Sequence, residues 1–102
     1  MRVHWRPAAI ADVRDILSYI KNRLKNPSAA KAMGARILDS IALLQENPYM
    51  GALLCDKLDL DEGVKYRYLI VSKQIIFYEV TEDVIEIIRV LDACTDYLSA
   101  LF

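Results

Sequence analysis

The chain has 102 residues, 55% hydrophobic and 26% charged, with three glycines and three prolines, a composition that fits one globular domain over residues 1–102 and excludes disorder. Thirteen Lys and Arg against fourteen Asp and Glu leave a net charge of −1, with no global pull toward nucleic acid. No run approaches the about 18 unbroken apolar residues of a membrane span, and the opening MRVHWRP lacks the apolar stretch of a signal peptide, so a cytosolic protein with no membrane contact is expected.

Val3 and Trp5 alternate with polar neighbours as in a short strand, and Pro7 suits a first helical turn. Ile10, Val13, Ile16, Leu17, Ile20 and Leu24 recur at helical offsets and form one apolar stripe, while Asp12, Arg14, Asp15 and Lys21 fall largely elsewhere. Asn26-Pro27 ends this helix and caps a second. Its stripe is Ala30, Met33, Ile37, Ile41 and Leu44, with Ala29, Ala32, Gly34 and Ala35 keeping the surface thin for close helix approach. Asn47-Pro48 stops it, because a residue before proline is pushed out of helical geometry. Residues 49–63, with Gly51, Gly63 and the acidic cluster Asp56, Asp59, Asp61 and Glu62, are expected to be a partly ordered connection.

Three strands follow, at about 64–71, 74–80 and 84–91, with Ser72-Lys73 and Thr81-Glu82-Asp83 as turns. Connections this short make the strands antiparallel neighbours. The predicted fold class is α+β: an N-terminal strand, a helical hairpin packed on one face of a small, mainly antiparallel sheet, and a short C-terminal helix. Cys55 and Cys94 are expected to be free thiols in a reducing compartment. One histidine, His4, and no Cys-x-x-Cys spacing argue against a zinc site; no metal or cofactor is expected, and His4 reads as a structural residue.

The C-terminal half carries an Arg-x-Leu element (Arg67, Leu69) and an apolar run closing on an aromatic pair (Ile75, Ile76, Phe77, Tyr78). A Val-Ile-x-Ile-Ile-Arg-Val strand (Val84 to Val90) and an Asp-Tyr step (Asp96, Tyr97) follow. In these features the chain resembles the RelE/ParE toxin superfamily, and Asn47, Pro48 and Gly51 add an Asn-Pro-x-x-Gly step at the end of the second helix. Ile76-Phe77-Tyr78 and Ile85-Glu86-Ile87-Ile88-Arg89 are closer to the ParE branch. The resemblance implies the toxin half of a type II toxin–antitoxin pair, neutralised by a cognate antitoxin whose C-terminal segment wraps it; the apolar composition and paired helices imply a groove that a partner peptide fills, and a chain that alone is sticky or a homodimer. ParE-type members inhibit DNA gyrase. RelE-type members cut ribosome-bound mRNA, and a third reading is a toxin fold that binds antitoxin but has lost toxicity.

RNA cleavage needs a group to take the 2′-hydroxyl proton and positive charge around the phosphate. Where RelE-type ribonucleases carry arginine this chain has Ile75, and their basic positions on the preceding strand fall near Tyr66 and Tyr68. The segment Leu91-Asp92-Ala93-Cys94-Thr95-Asp96 holds neither base nor cation. Candidate catalytic residues for a ribonuclease are Arg67, Arg89 and Tyr97, and candidate target-binding residues are Arg67, Lys73, Arg89 and Tyr97. Against these stand structural readings: Arg67 or Arg89 pairing with Glu79 or Glu86 across the sheet, and Tyr97 packing ahead of Leu98, Leu101 and Phe102. Tyr66, Tyr68 and Tyr78 offer faces for base stacking, but the net charge leaves little for a positive groove.

Overall fold

The computed structural model describes residues 1–58 and 63–102. Strand β1 (Arg2–Trp5) leads through Pro7, at the first helical position, into helix α1 (Pro7–Ser18), which widens into one π-helical turn over Tyr19–Arg23. Lys25, in left-handed geometry (φ 51°), ends it, and the Asn26 amide reaches back to the Ile20 carbonyl at 3.1 Å. The Asn26 side chain then accepts from the Ala29 amide at 3.1 Å, capping helix α2 (Pro27–Glu46) by the expected mechanism.

Residues 49–58, the described first part of the connection after α2, take up regular structure. They hold the two-residue strand β2 (Ala52–Leu53) and the short helix α3 (Leu54–Leu58); of the acidic cluster only Asp56 lies among the described residues. Strand β3 (Arg67–Val71) begins three residues later than the sequence pattern implied, and β4 (Gln74–Thr81) and β5 (Val84–Asp92) follow through turns whose first residues, Ser72 and Glu82, have positive φ. Helix α4 (Tyr97–Leu101) closes the chain. The five strands form one sheet in the order β1-β5-β4-β3-β2, antiparallel except where β1 runs parallel to β5. A bulge at Phe77/Tyr78 inserts an extra residue of β5 between Arg89, opposite Phe77, and Ile87, opposite Tyr78.

Because side chains alternate across a strand, the sheet has two apolar faces. Ile76, Tyr78, Ile85, Ile87 and Val90 meet the α2 stripe of Met33, Ile37, Ile41 and Leu44 in the main core. Ile75, Phe77, Ile88 and Leu91 form a second core with Leu54, against which Tyr66, Tyr68, Tyr97 and Leu101 pack. All five predicted α2 stripe residues are buried, whereas on the α1 stripe Ile10 and Leu24 are exposed. Ala32 and Ala35 also face solvent.

Gly34 does not owe its place to close helix contact. A Cβ there would meet Leu17 Cδ1 at 3.6 Å, an ordinary van der Waals distance. Gly34→Ala should therefore stabilise the chain by up to about 1 kcal/mol, the usual cost of glycine in a helix interior, read as a raised urea midpoint at constant m-value.

Candidate functional site

Three arrangements tie the sheet to its surroundings. The first centres on Tyr78, which the aromatic-pair pattern offered as a stacking face and which is fully buried. Its hydroxyl donates to the Pro48 carbonyl at 2.9 Å and accepts from the Gly51 amide at 2.9 Å. Burial pushes the phenol pKa up, opposed by the Gly51 amide and by Arg67 nearby. Arg67, the β3 register partner of Tyr78, donates to the Gly51 carbonyl at 2.7 Å and the Tyr49 carbonyl at 3.4 Å, with its guanidinium 5.0 Å from the Tyr49 ring centre. The Asn-Pro-x-x-Gly step is thus held by one buried hydroxyl and one guanidinium, which is why residues 49–53 take a defined path.

The second arrangement corrects the pairing expected for Arg89. Its Nε and Nη2 donate to the two carboxylate oxygens of Asp12 at 2.7 and 2.8 Å, and the Val90 amide donates to the same carboxylate at 3.0 Å. Strand β1 pairs with β5 only as far as Ile87, so beyond that point the Asp12 side chain takes over as acceptor for β5. The Asp12 bond holds the guanidinium pKa above its ordinary value. Arg89 also lies 3.5 Å from the Ala100 carbonyl on α4, linking α1 to the terminal helix. Glu86, the other partner expected for these arginines, is bonded by Arg6, with His4 at 3.9 Å; its register partner on β4 is the like-charged Glu79.

The third is the terminal helix. Tyr97 packs on Phe77 with ring centres 5.4 Å apart, and Phe102 stacks on Tyr66 at 5.7 Å. Lys73 sits exposed in the β3–β4 turn. The candidates do not converge: Arg89 and Tyr97 both neighbour Phe77, whereas Arg67 sits beside Tyr78 on the opposite face and Lys73 lies at the turn. Ile75, where RelE-type ribonucleases carry arginine, is 5% exposed in the second core. An in-line phosphate cleavage needs base and cations within hydrogen-bond reach of one phosphate, and these groups are spread over two faces and two internal bonding networks.

What the surface does present is apolar. A groove of about 430 Å³ runs between α1 and α2, lined by Trp5, Ile10, Val13, Leu17 and Leu38 with one cation, Arg14, and Ile10 and Leu38 are 45% and 64% exposed. On the other side of the sheet Leu98 and Phe102 stand 40% and 65% exposed on the terminal segment.

The family model described as "ParE toxin of type II toxin-antitoxin system, parDE" matches residues 3–97. The chain belongs to the ParE toxin family. Among solved structures, a protein of the chromosomal ParDE toxin–antitoxin system from P. aeruginosa is similar at a TM-score of 0.71 and 22% identity, over 90% of this chain and 95% of that one. At that identity the likeness concerns the fold. No curated protein matches. The family places the chain in a type II toxin module, on the ParE branch of the RelE/ParE superfamily, and its α+β architecture is the ParE-like one. Among the described residues no helix is long and apolar enough to cross a membrane.

Residues that pattern reading passed over carry much of this geometry. Asp12 counted as a polar-face residue of α1, Arg6 had no assigned partner, and Glu86 was expected to meet Arg67 or Arg89; a carboxylate five residues into a helix has no sequence mark saying that it turns inward. Gln74 was read only as the first residue of a strand. It is 7% exposed, and its Oε1 is buried without a hydrogen-bond partner among the described residues.

Proposed function

We propose that this chain is a ParE-type toxin that arrests growth by binding DNA gyrase in the cytoplasm and is neutralised by a cognate antitoxin. The observation that carries the reading is the family match over residues 3–97, and the engagement of Arg67 and Arg89 in internal bonds supports a poison that presents contacts over a nuclease. The antitoxin's place is the α1–α2 groove, whose apolar walls suit an amphipathic helix. Uncovered, that groove promotes self-association to a dimer.

The target surface is the terminal segment, where Phe102 and Leu98 are exposed aromatic and aliphatic anchors. The test uses purified chain in a gyrase supercoiling assay, with and without the product of the adjacent reading frame. The intact chain is expected to inhibit and the partner to relieve inhibition. Phe102→Ala should raise the inhibitory concentration about tenfold or more, as loss of an anchor worth ~2 kcal/mol does, while loss of its stack on Tyr66 lowers stability by only about 1 kcal/mol, so the variant stays folded at the assay temperature. Codon-specific mRNA cleavage on ribosomes without effect on supercoiling would replace this reading by the ribonuclease. Absence of arrest on induction, with antitoxin binding intact, would replace it by the silenced toxin.

A further inference from the structure

Arg6, Arg67 and Arg89 are half-buried. Glu86 neutralises Arg6 and Asp12 neutralises Arg89. Arg67 has no carboxylate partner among the described residues, although charges drawn below the surface are normally paired. Its bonds to the carbonyls of Gly51 and Tyr49 both come from Nη1, which leaves Nε and Nη2 without an acceptor. That is the edge with which Arg89 grips Asp12. Both atoms reach solvent, because Gln74 Oε1 is the one buried side-chain polar atom without a partner among the described residues. Arg67 lines a pocket of about 140 Å³ together with Tyr49, Leu53, Lys65 and Val80. Leu53 is its register partner on β2, and Val80 packs against the main core, so the pocket opens on the hairpin side of the sheet. Lys65 is exposed and joins no ion pair among the described residues. The lining thus carries two cations and no carboxylate. Glu79, between Tyr78 and Val80, falls on the opposite face by alternation, where its register partner is Glu86.

We infer that this pocket takes a carboxylate side chain, an aspartate or glutamate of the polypeptide that neutralises the chain, with its oxygens shared between the free edge of Arg67 and the Lys65 ammonium and its methylenes on Leu53 and Val80. The planar fork of an arginine matches the two oxygens of a carboxylate. The aliphatic floor suits a short methylene stem rather than a sugar-phosphate backbone, and a net charge of −1 gives the chain no general attraction for nucleic acid. The inference rests on the reading that an antitoxin covers the helical hairpin. From Leu38 in the α1–α2 groove to Glu46 at the end of α2 is about 12 Å along the helix axis, and Tyr49 of the pocket follows three residues later, so one partner segment laid along the hairpin covers both. The groove supplies apolar area and the pocket supplies selection by charge: a partner with a basic residue at that point would be repelled, and one with a neutral residue would leave Arg67 unpaired.

The test works through Lys65, because Arg67 also braces the Asn-Pro-x-x-Gly step and its loss would mix folding with binding. Lys65→Glu sets a carboxylate of the chain's own at the rim and, at an exposed position, should leave the melting temperature unchanged. The variant should bind the product of the adjacent reading frame about tenfold more weakly, the factor expected for a lost charge-assisted hydrogen bond. Acidic residues of that product are then changed singly to their amides. One such change should weaken binding to the native chain about tenfold and binding to Lys65→Glu hardly at all, the coupling of two groups in contact. In parallel, propionate titrated into the intact chain at constant ionic strength should shift the Arg67 Nε–H and the Leu53 and Val80 methyl signals in NMR spectra to saturation. Propionamide, its neutral counterpart, should leave them in place, and Lys65→Glu should abolish the propionate shifts. Unchanged partner affinity in Lys65→Glu, the lack of any coupled acidic residue, or propionamide acting as propionate does overturns the inference. Dimethyl phosphate saturating the same signals at lower concentration than propionate also overturns it, in favour of a nucleic-acid backbone. If the adjacent product fails to bind the native chain, the antitoxin reading falls, and the three titrations then decide the pocket by themselves.

Discussion

Asp12→Ala should destabilise the chain by about 3 kcal/mol, in the range measured when one member of a buried ion pair is removed. The substitution takes away the acceptor of three hydrogen bonds at once, those from Arg89 Nε, Arg89 Nη2 and the Val90 amide. It leaves a guanidinium whose side chain is only 27% exposed without its counter-charge. Asp83→Ala is the internal control. Asp83 meets Arg2 at 3.7 Å with both side chains more than 70% exposed, and such a surface pair should change stability by less than about 0.5 kcal/mol. Urea unfolding of the two variants checks the contrast, and equal losses would show that the Asp12–Arg89 pair is no clamp. Because the Arg89 pKa is raised, its contribution is fully present below the guanidinium's unfolded value and is lost only in extreme alkali; the Arg89 side of the pair is insensitive to pH across the working range. One consequence concerns toxicity assays. Arg89→Ala breaks the same clamp, so loss of growth arrest in that variant reports target contact only when the amount of folded protein is measured beside it.

Gly51→Ala should cost about 3 kcal/mol, from overpacking and from a lost hydrogen bond together. A Cβ on Gly51 would stand 2.7 Å from the backbone carbonyl oxygen of Tyr68 and 2.5 Å from the Tyr78 hydroxyl. The tyrosine tip is enclosed and the carbonyl belongs to β3, so neither can retreat cheaply. Tyr78→Phe probes the same node without the clash: it keeps the ring in the core and should cost about 1–3 kcal/mol by stranding the Gly51 amide and the Pro48 carbonyl. The pH dependence follows from the raised phenol pKa. Below its ordinary value of about 10 the folded and unfolded chains are both protonated and the stabilisation is complete. Above it the unfolded chain loses the proton first, so stability falls as the pH climbs toward the folded value. Thermal unfolding followed from pH 8 to pH 11 should show this alkaline loss in the native chain and a smaller one in Tyr78→Phe; parallel curves would contradict the burial of an ionisable hydroxyl at this node.

Local rules were enough for the elements whose signals are local. The Asn26-Pro27 cap, the α2 stripe from Ala30 to Leu44 and the three C-terminal strands follow from periodicity and from the backbone restrictions of proline, and the Arg67, Phe77-Tyr78 and Val84 to Val90 pattern was enough to indicate the superfamily. These signals act between residues a few positions apart, where the chain's own covalent geometry sets the outcome. The order in residues 49–58, the parallel seat of β1 against β5 and the partners of Arg67, Arg89 and Glu86 were decided by tertiary structure alone, because they depend on groups 12 to 82 positions apart. The alternation that marks a strand says which residues share a face, but not which helix arrives there or what charge it brings. Asp12 illustrates the difference: on a helical wheel it is one of several acidic residues, and its role exists only because β1 ends at the point where Val90 still needs an acceptor. Gln74 shows the same from the opposite side, since burial of its side chain, with no partner for Oε1 among the described residues, is a property of the packed sheet and has no trace in the pattern of the strand that carries it.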